Sequence, residues 1–132
     1  MINRKHRFHG RGSLRFVYQR GKTLRGPLAS IKFIANPRRT EYRLAVVLSR
    51  KEHKSAVVRN RIRRRVYEAA RQYESQFLGA YDIVITIFSD QVAEIESAEL
   101  HERLTSKLVE AGIMPAKASV PEAEHAIVNA KE

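Results

Sequence analysis

The segment from residue 55 to residue 73 constrains this chain more than any other. Val58, Ile62, Val66, Ala69 and Tyr73 recur at i, i+4, i+8, i+11 and i+15, one apolar stripe at helical spacing. Through the same segment runs Arg59-Asn60-Arg61-Ile62-Arg63-Arg64-Arg65. A helix of this kind must dock its stripe on a core and still leave guanidinium groups outside. At about 100° per residue, Asn60, Arg61, Arg64, Tyr67 and Arg71 project from the half opposite the stripe, with Arg59 and Arg63 at one edge and Arg65 at the other. Like charges at i, i+4 (Arg59/Arg63, Arg61/Arg65) cost an isolated helix about 0.2–0.5 kcal/mol per pair. A polyanion removes that cost. Arg, unlike Lys, contacts phosphate bidentately and stacks on bases, and every cation in this run is Arg. Asn60 is a mediocre helix former, so it is either a polar contact to phosphate, ribose or base edge, or simply an exposed polar residue.

The charge of the whole chain points the same way. Its formal net charge is +11, and the distribution is lopsided. Residues 1–73 hold 21 Lys and Arg against 3 Asp and Glu, a formal +18; residues 74–132 hold 4 against 11, a formal −7. Charge placed only for solubility would not divide so sharply, and a field of this strength repels itself until a polyanion neutralises it. Nucleic acid is the expected partner, with an anionic membrane surface the weaker candidate. Arg50, Lys51 and Lys54 add charge just before the helix, and Arg38, Arg39 and Arg43 add it around the first strand connection. Arg4, Lys5, Arg7 and Arg11 make a basic arm expected to stay flexible until bound.

Around the central helix the periodicities give an order of helix, strand, strand, helix, strand, helix. Ser13 is the expected cap of a first helix whose Leu14, Val17 and Tyr18 share a face, closed by Gly21. Leu28 to Ala35 alternates as a strand, and Asn36-Pro37 turns the chain. Tyr42 to Ser49 is a second strand, its Ala45-Val46-Val47-Leu48 apolar enough for burial on both faces. Tyr81 to Phe88 is a third. Ser97 caps a last helix bearing Leu100, Leu104, Leu108 and Ala111 on one face, and Gly112 terminates it. The pattern dissolves after residue 113, so the domain is expected to be 1–113 and 114–132 a disordered tail. With 132 residues and 43% hydrophobic content, one α+β domain with one modest core is expected.

Several chemistries are excluded or lack their residues. There is no Cys, so no disulfide, thiolate zinc site or catalytic thiol exists, which suits a reducing cytoplasm. No apolar h-region follows the basic N-terminus, and the aliphatic runs are far too short to span a bilayer. His6, His9, His53, His101 and His125 are scattered, Asp82 and Asp90 make no convincing metal pair, and no phosphate loop or nucleophile motif occurs. The expected catalytic set of the chain itself is none, and so is the expected metal set.

Three segments carry a resemblance to a known family. Leu44-Ala45-Val46-Val47-Leu48-Ser49-Arg50-Lys51, then Ala56-Val57-Val58-Arg59-Asn60-Arg61-Ile62-Arg63-Arg64, then Tyr81-Asp82-Ile83-Val84-Ile85 resemble the protein component of bacterial ribonuclease P. The first helix, with Phe16-Val17-Tyr18-Gln19-Arg20-Gly21, and the last helix fit in order and spacing, so the resemblance covers about residues 4–113. It implies a single-domain α–β sandwich: a central mixed sheet of about four strands, three helices, and a left-handed crossover into the Arg-rich helix. The periodicities show three strands, so the fourth is unplaced. The resemblance also implies that a partner RNA carries out magnesium-dependent removal of the 5′ leader from precursor tRNA. The protein would then be a non-catalytic subunit that binds the leader and raises substrate and metal affinity, with magnesium held mainly by the RNA. Arg50, Lys51, Lys54, Arg59, Asn60, Arg61, Arg63 and Arg64 match the motif that contacts ribonuclease P RNA. Leu14, Tyr18 and Lys32 match the leader-binding cleft. The family usually carries aromatics where Leu14 and Lys32 stand, so Lys32 would meet a leader phosphate rather than stack. The expected partners are ribonuclease P RNA and precursor tRNA, with no membrane and no protein partner, in the cytoplasm.

Two other readings compete. One is a structural RNA binder of ribosomal or chaperone type. The other is a helix-in-groove DNA regulator, which wants a second helix packed just before the Arg-rich one; here a strand and a short basic loop precede it.

Overall fold

The computed structural model describes residues 3–116, so most of the expected tail lies outside the described residues. Its order is α1 (Arg11–Arg20), β1 (Lys22–Arg25), β2 (Ala29–Ala35), β3 (Arg43–Val47), α2 (Ala56–Tyr73), β4 (Tyr81–Ile87) and α3 (Ser97–Glu110), with single 3-10 turns at Arg4–His6, Glu74–Gln76 and Asp90–Ala93. The strands form one mixed sheet in the order β1-β2-β4-β3. β2 runs antiparallel to β1 and to β4, Ile31 facing Leu24 on one side and Ile85 on the other. β3 runs parallel to β4, Val46 facing Ile85, so α2 is the crossover between two adjacent parallel strands.

The unplaced fourth strand is β1. Lys22-Thr23-Leu24-Arg25 is short, mostly exposed and lies at the sheet edge, which is why no hydrophobic alternation marks it. Its hairpin to β2 turns at Gly26-Pro27-Leu28-Ala29, closed by the Gly26 N–H donating to the Ala29 carbonyl at 2.9 Å.

Alternation sorts the sheet into two faces. Ile31, Phe33, Leu44, Val46, Ile83, Ile85 and Ile87 enter the main core with Ile62, Val66, Ala69 and Tyr73 of α2 and Leu100, Leu104 and Leu108 of α3. The helical stripe is thus where its spacing put it, apart from Val58, which is only half-buried at the helix start. α1 packs against β2 and β4, where Val17 and Val84, both fully buried, belong to no part of that main core. The helices therefore cover both faces: α2 and α3 one, α1 part of the other. β3 alternates buried and half-buried residues because it is an edge strand, which corrects the expected two-sided burial of Ala45 to Leu48. Its outward Val46 N–H donates to the Tyr67 hydroxyl at 3.3 Å, so Tyr67 reaches back to the sheet instead of projecting freely.

The caps explain the boundaries. Ser55 takes an extended conformation and its Oγ accepts from the Val58 N–H at 3.3 Å, starting α2 where the sequence placed it. α1 begins three residues earlier than expected, after Gly10, whose φ of 87° lies in the left-handed region; Ser13 is inside the helix. Glu96, not Ser97, precedes α3. At its end Gly112 takes φ 80°, donating to the Val109 carbonyl at 3.0 Å while Ile113 donates to the Leu108 carbonyl at 2.9 Å, the paired bonds of a Schellman motif. Ile113 and Met114 are fully buried, so the core extends at least one residue past the expected boundary at 113.

Candidate RNA interface

α2 presents its cations as the helical wheel requires, but they divide into two groups. Asn60, Arg61 and Arg64 are exposed, Arg63 is half-buried, and Arg50, Lys51 and Lys54 are exposed in the loop that leads into the helix. The side chains of Arg50, Lys51, Lys54, Arg61, Arg63 and Arg64 have no carboxylate within ion-pair distance among the described residues. Among the described residues, no acidic side chain offsets their charge. Six cations on one helix and its leading loop, without carboxylate partners among the described residues, have the chemistry that phosphate contacts require.

Arg59 and Arg65 are different. Arg59 donates to the His53 carbonyl at 2.6 Å, tying the first turn of α2 to its own leading loop. Arg65 donates to the Val92 carbonyl at 2.7 Å and to the Ile95 carbonyl, binding the turn after β4 to the flank of α2. Both are half-buried. Sequence spacing set Arg65 apart at the wheel edge, but gave no sign that Arg59 has an internal partner.

Other basic residues also serve the fold. Arg43 makes a bidentate pair with Asp82, its Nε at 2.9 Å from Oδ1 and its second guanidinium nitrogen at 2.8 Å from Oδ2, and Asn36 donates to the same carboxylate at 2.9 Å. Arg39 donates to the carbonyls of Glu41 at 3.2 Å and Lys5 at 2.9 Å. The described part of the N-terminal arm is therefore docked, not free. His6 is buried and stacked on Tyr42 at 4.0 Å, with Nδ1 at 3.0 Å from the Tyr42 carbonyl. Phe8 lies 4.9 Å from the Arg43 guanidinium, ring over cation. Tyr42 donates its hydroxyl to Glu74 at 2.7 Å; burial, then the Glu74 carboxylate, push the phenol well above its ordinary range, so it stays a neutral donor.

The second predicted group lies around α1. Lys32 stands on the β2 face that alternates away from the main core, and its Nζ is 6.0 Å from the Tyr18 ring centroid. Leu14 is half-buried beside them on α1. Tyr18 and Phe16 are both exposed, 44% and 50%, and Val17 between them takes the packing role. Leu14, Val17 and Tyr18 thus share one face of α1 as their spacing requires, with Val17 buried against the sheet and Tyr18 left open at its edge. The close approach of α1 to β2 depends on Gly21: a Cβ there would lie 2.6 Å from the Val17 carbonyl oxygen and 3.0 Å from that of Phe33.

Among the described residues no three His, Asp or Glu side chains converge as a metal site would need, and no helix is long and apolar enough to cross a membrane.

The chain has relatives of similar length and the same fold. A sequence model of the family described as Ribonuclease P matches residues 2–112. The ribonuclease P protein component of Chloroflexus aurantiacus (strain ATCC 29366 / DSM 635 / J-10-fl) is 35% identical over 115 residues, covering 87% of this chain and 84% of that protein. The one from Pseudanabaena sp. (strain PCC 6903) is 33% identical over 87 residues, covering 66% and 75%. Among solved structures, the RNase P protein of Staphylococcus aureus superposes with a TM-score of 0.72 at 20% identity, over 83% of this chain and 97% of that one. That of Thermotoga maritima gives 0.69 at 23% identity, over 79% and 96%. The match over nearly all the described residues, in sequence and in fold, shows that this chain belongs to the ribonuclease P protein family.

Proposed function

We propose that this chain, as the protein subunit of a cytoplasmic ribonuclease P, grips the partner RNA through α2 and its leading loop and holds the 5′ leader of precursor tRNA against α1 and the open sheet face. The observation that carries this reading is the set of six cations without carboxylate partners among the described residues: Arg50, Lys51, Lys54, Arg61, Arg63 and Arg64. Asn60 sits among them as a hydrogen-bonding group for ribose, phosphate or base edge. Arg59 contributes through its place at the helix start, with one guanidinium nitrogen already committed to the His53 carbonyl.

On the α1 side, Lys32 supplies a cation for a leader phosphate and Tyr18 an exposed ring for a base, with Leu14 flanking them. The protein adds affinity and position, and hydrolysis belongs to the RNA. Magnesium is held mainly by that RNA.

The experiment is reconstitution with bacterial ribonuclease P RNA at low magnesium, following 5′ cleavage of precursor tRNA. Stimulation by the protein is expected, and its absence would leave a structural RNA binder as the better reading. Replacing Arg61, Arg63 and Arg64 with Ala should weaken RNA binding and lower the log–log salt slope by roughly 0.7–0.9 per lost phosphate contact. A slope equal to wild type refutes the placement of the backbone on α2.

A further inference from the structure

His53 lies inside the basic loop, between Lys51 and Lys54, yet is only 1% exposed. Both of its ring nitrogens meet oxygen atoms. Nε2 is 3.0 Å from the carbonyl of Ile87, the last residue of β4. A carbonyl only accepts, so Nε2 carries a proton. Nδ1 faces the carboxylate of Asp90, whose side chain is 57% exposed and solvated. An ionised carboxylate also only accepts. The ring satisfies both partners when it is an imidazolium with a proton on each nitrogen.

The backbone of His53 is equally engaged. Its N–H donates to the Ser49 carbonyl at 2.8 Å, closing the turn that carries Arg50 and Lys51. Its carbonyl accepts from Arg59 of α2 at 2.6 Å. One residue therefore joins the basic loop, the first turn of α2, the end of β4 and the turn that follows it. The charged groups around the ring are Asp90 from that turn, Glu52 and Lys54 from its own loop, and Arg59 from α2. Burial works against the imidazolium, but the Asp90 hydrogen bond, the Ile87 carbonyl and the charges of Asp90 and Glu52 outweigh it and raise the pKa above the ordinary histidine value.

We infer that His53 is a positioning residue for RNA binding: its imidazolium fastens the basic loop and Arg59 to the end of β4, and loss of its proton releases them. This rests on the reading of that loop as an RNA contact. Deprotonation at Nδ1 turns a lone pair toward the Asp90 carboxylate, so the ring or the turn must move, and the loop cations move with it. By linkage, RNA that prefers the fastened loop also favours the protonated ring.

The test is the affinity of the full chain for bacterial ribonuclease P RNA at fixed ionic strength, from about pH 5.5 to about pH 8.5, the range in which histidines change charge. Wild type, His53→Gln and Asp90→Asn are compared, so titration of the other histidines cancels in the differences. Wild-type affinity is expected to fall as pH rises through the titration of His53, by up to about tenfold for each unit by which RNA shifts that pKa. His53→Gln keeps an N–H donor for the Ile87 carbonyl but has no charge to lose, so it should lack this component. Asp90→Asn should move the fall to lower pH, with the histidine ring resonances moving in step. Profiles of both variants that superimpose on wild type would overturn the inference. If His53→Gln does not fold, Asp90→Asn decides alone, since its side chain is largely exposed. Arg50→Ala and Lys51→Ala control for the interface: wild-type affinity in both removes the interface reading and the inference together. Weakened binding there with superimposed His53 and Asp90 profiles removes the inference alone.

Discussion

Asp82 and Arg43 give the most direct test of how this fold handles its surplus of positive charge. Asp82 is 2% exposed and its carboxylate accepts three hydrogen bonds, two from Arg43 and one from Asn36, whereas the Arg43 side chain is 12% exposed. The two deletions should therefore be unequal. Arg43→Ala leaves a buried carboxylate with Asn36 as its one remaining partner in that set, and breaking a buried pair in this way costs about 3–5 kcal/mol. Asp82→Ala leaves a guanidinium at the sheet edge with Phe8 over it and water within reach, so the loss should be smaller, about 1–3 kcal/mol. Replacing both should cost less than the sum of the two, because the second deletion removes a group already left unpaired. Urea unfolding followed by far-ultraviolet circular dichroism measures this, since the chain has no Trp for fluorescence. The midpoint should fall with an unchanged slope. An Arg43→Ala cost under about 1 kcal/mol, or equal costs for the two single variants, would refute the claim that Asp82 depends on this Arg.

Three further outcomes follow from single contacts. Arg65→Ala strips the donors from the Val92 and Ile95 carbonyls, so it should destabilise the domain by about 1–3 kcal/mol yet leave the salt slope of RNA binding unchanged, measured by urea unfolding and salt titration side by side. Gly21→Ala puts a methyl against two backbone oxygens at 2.6 and 3.0 Å and should cost about 1–3 kcal/mol in a thermal melt, although φ at this position is an ordinary −73°. Ser55→Ala removes the cap of α2 and should cost about 1 kcal/mol by the same measurement.

The parts legible in the sequence were those where one residue pattern had one physical meaning. The stripe from Ile62 to Tyr73 could only be a docked helix, and Gly112 marked an end that the structure keeps. β1 was invisible because it contributes backbone pairing and little apolar surface. Gly10 displaced Ser13 as the start of α1 because a left-handed glycine can begin a helix without a side-chain cap. Among the arginines, sequence alone does not tell a guanidinium facing solvent from one turned inward. Arg43 finds Asp82 thirty-nine residues away, Arg65 finds carbonyls at Val92 and Ile95, and Arg39 finds Lys5. These partners are brought close by the fold and leave no local periodicity. The same holds for His53, which looked like one of several scattered histidines and proves to be a buried junction.

The sheet edges have a consequence for the chain before it meets RNA. An unpaired edge strand is a template on which another copy can add its own strand. Here β1 sets charged Lys22 and Arg25 along one edge, while on the other the Tyr67 hydroxyl occupies the outward Val46 N–H. Strand addition at either side would have to bring like charges together or displace that hydroxyl. A newly made copy surrounded by others thus carries its own protection against cross-β aggregation, and that protection does not depend on the RNA being bound.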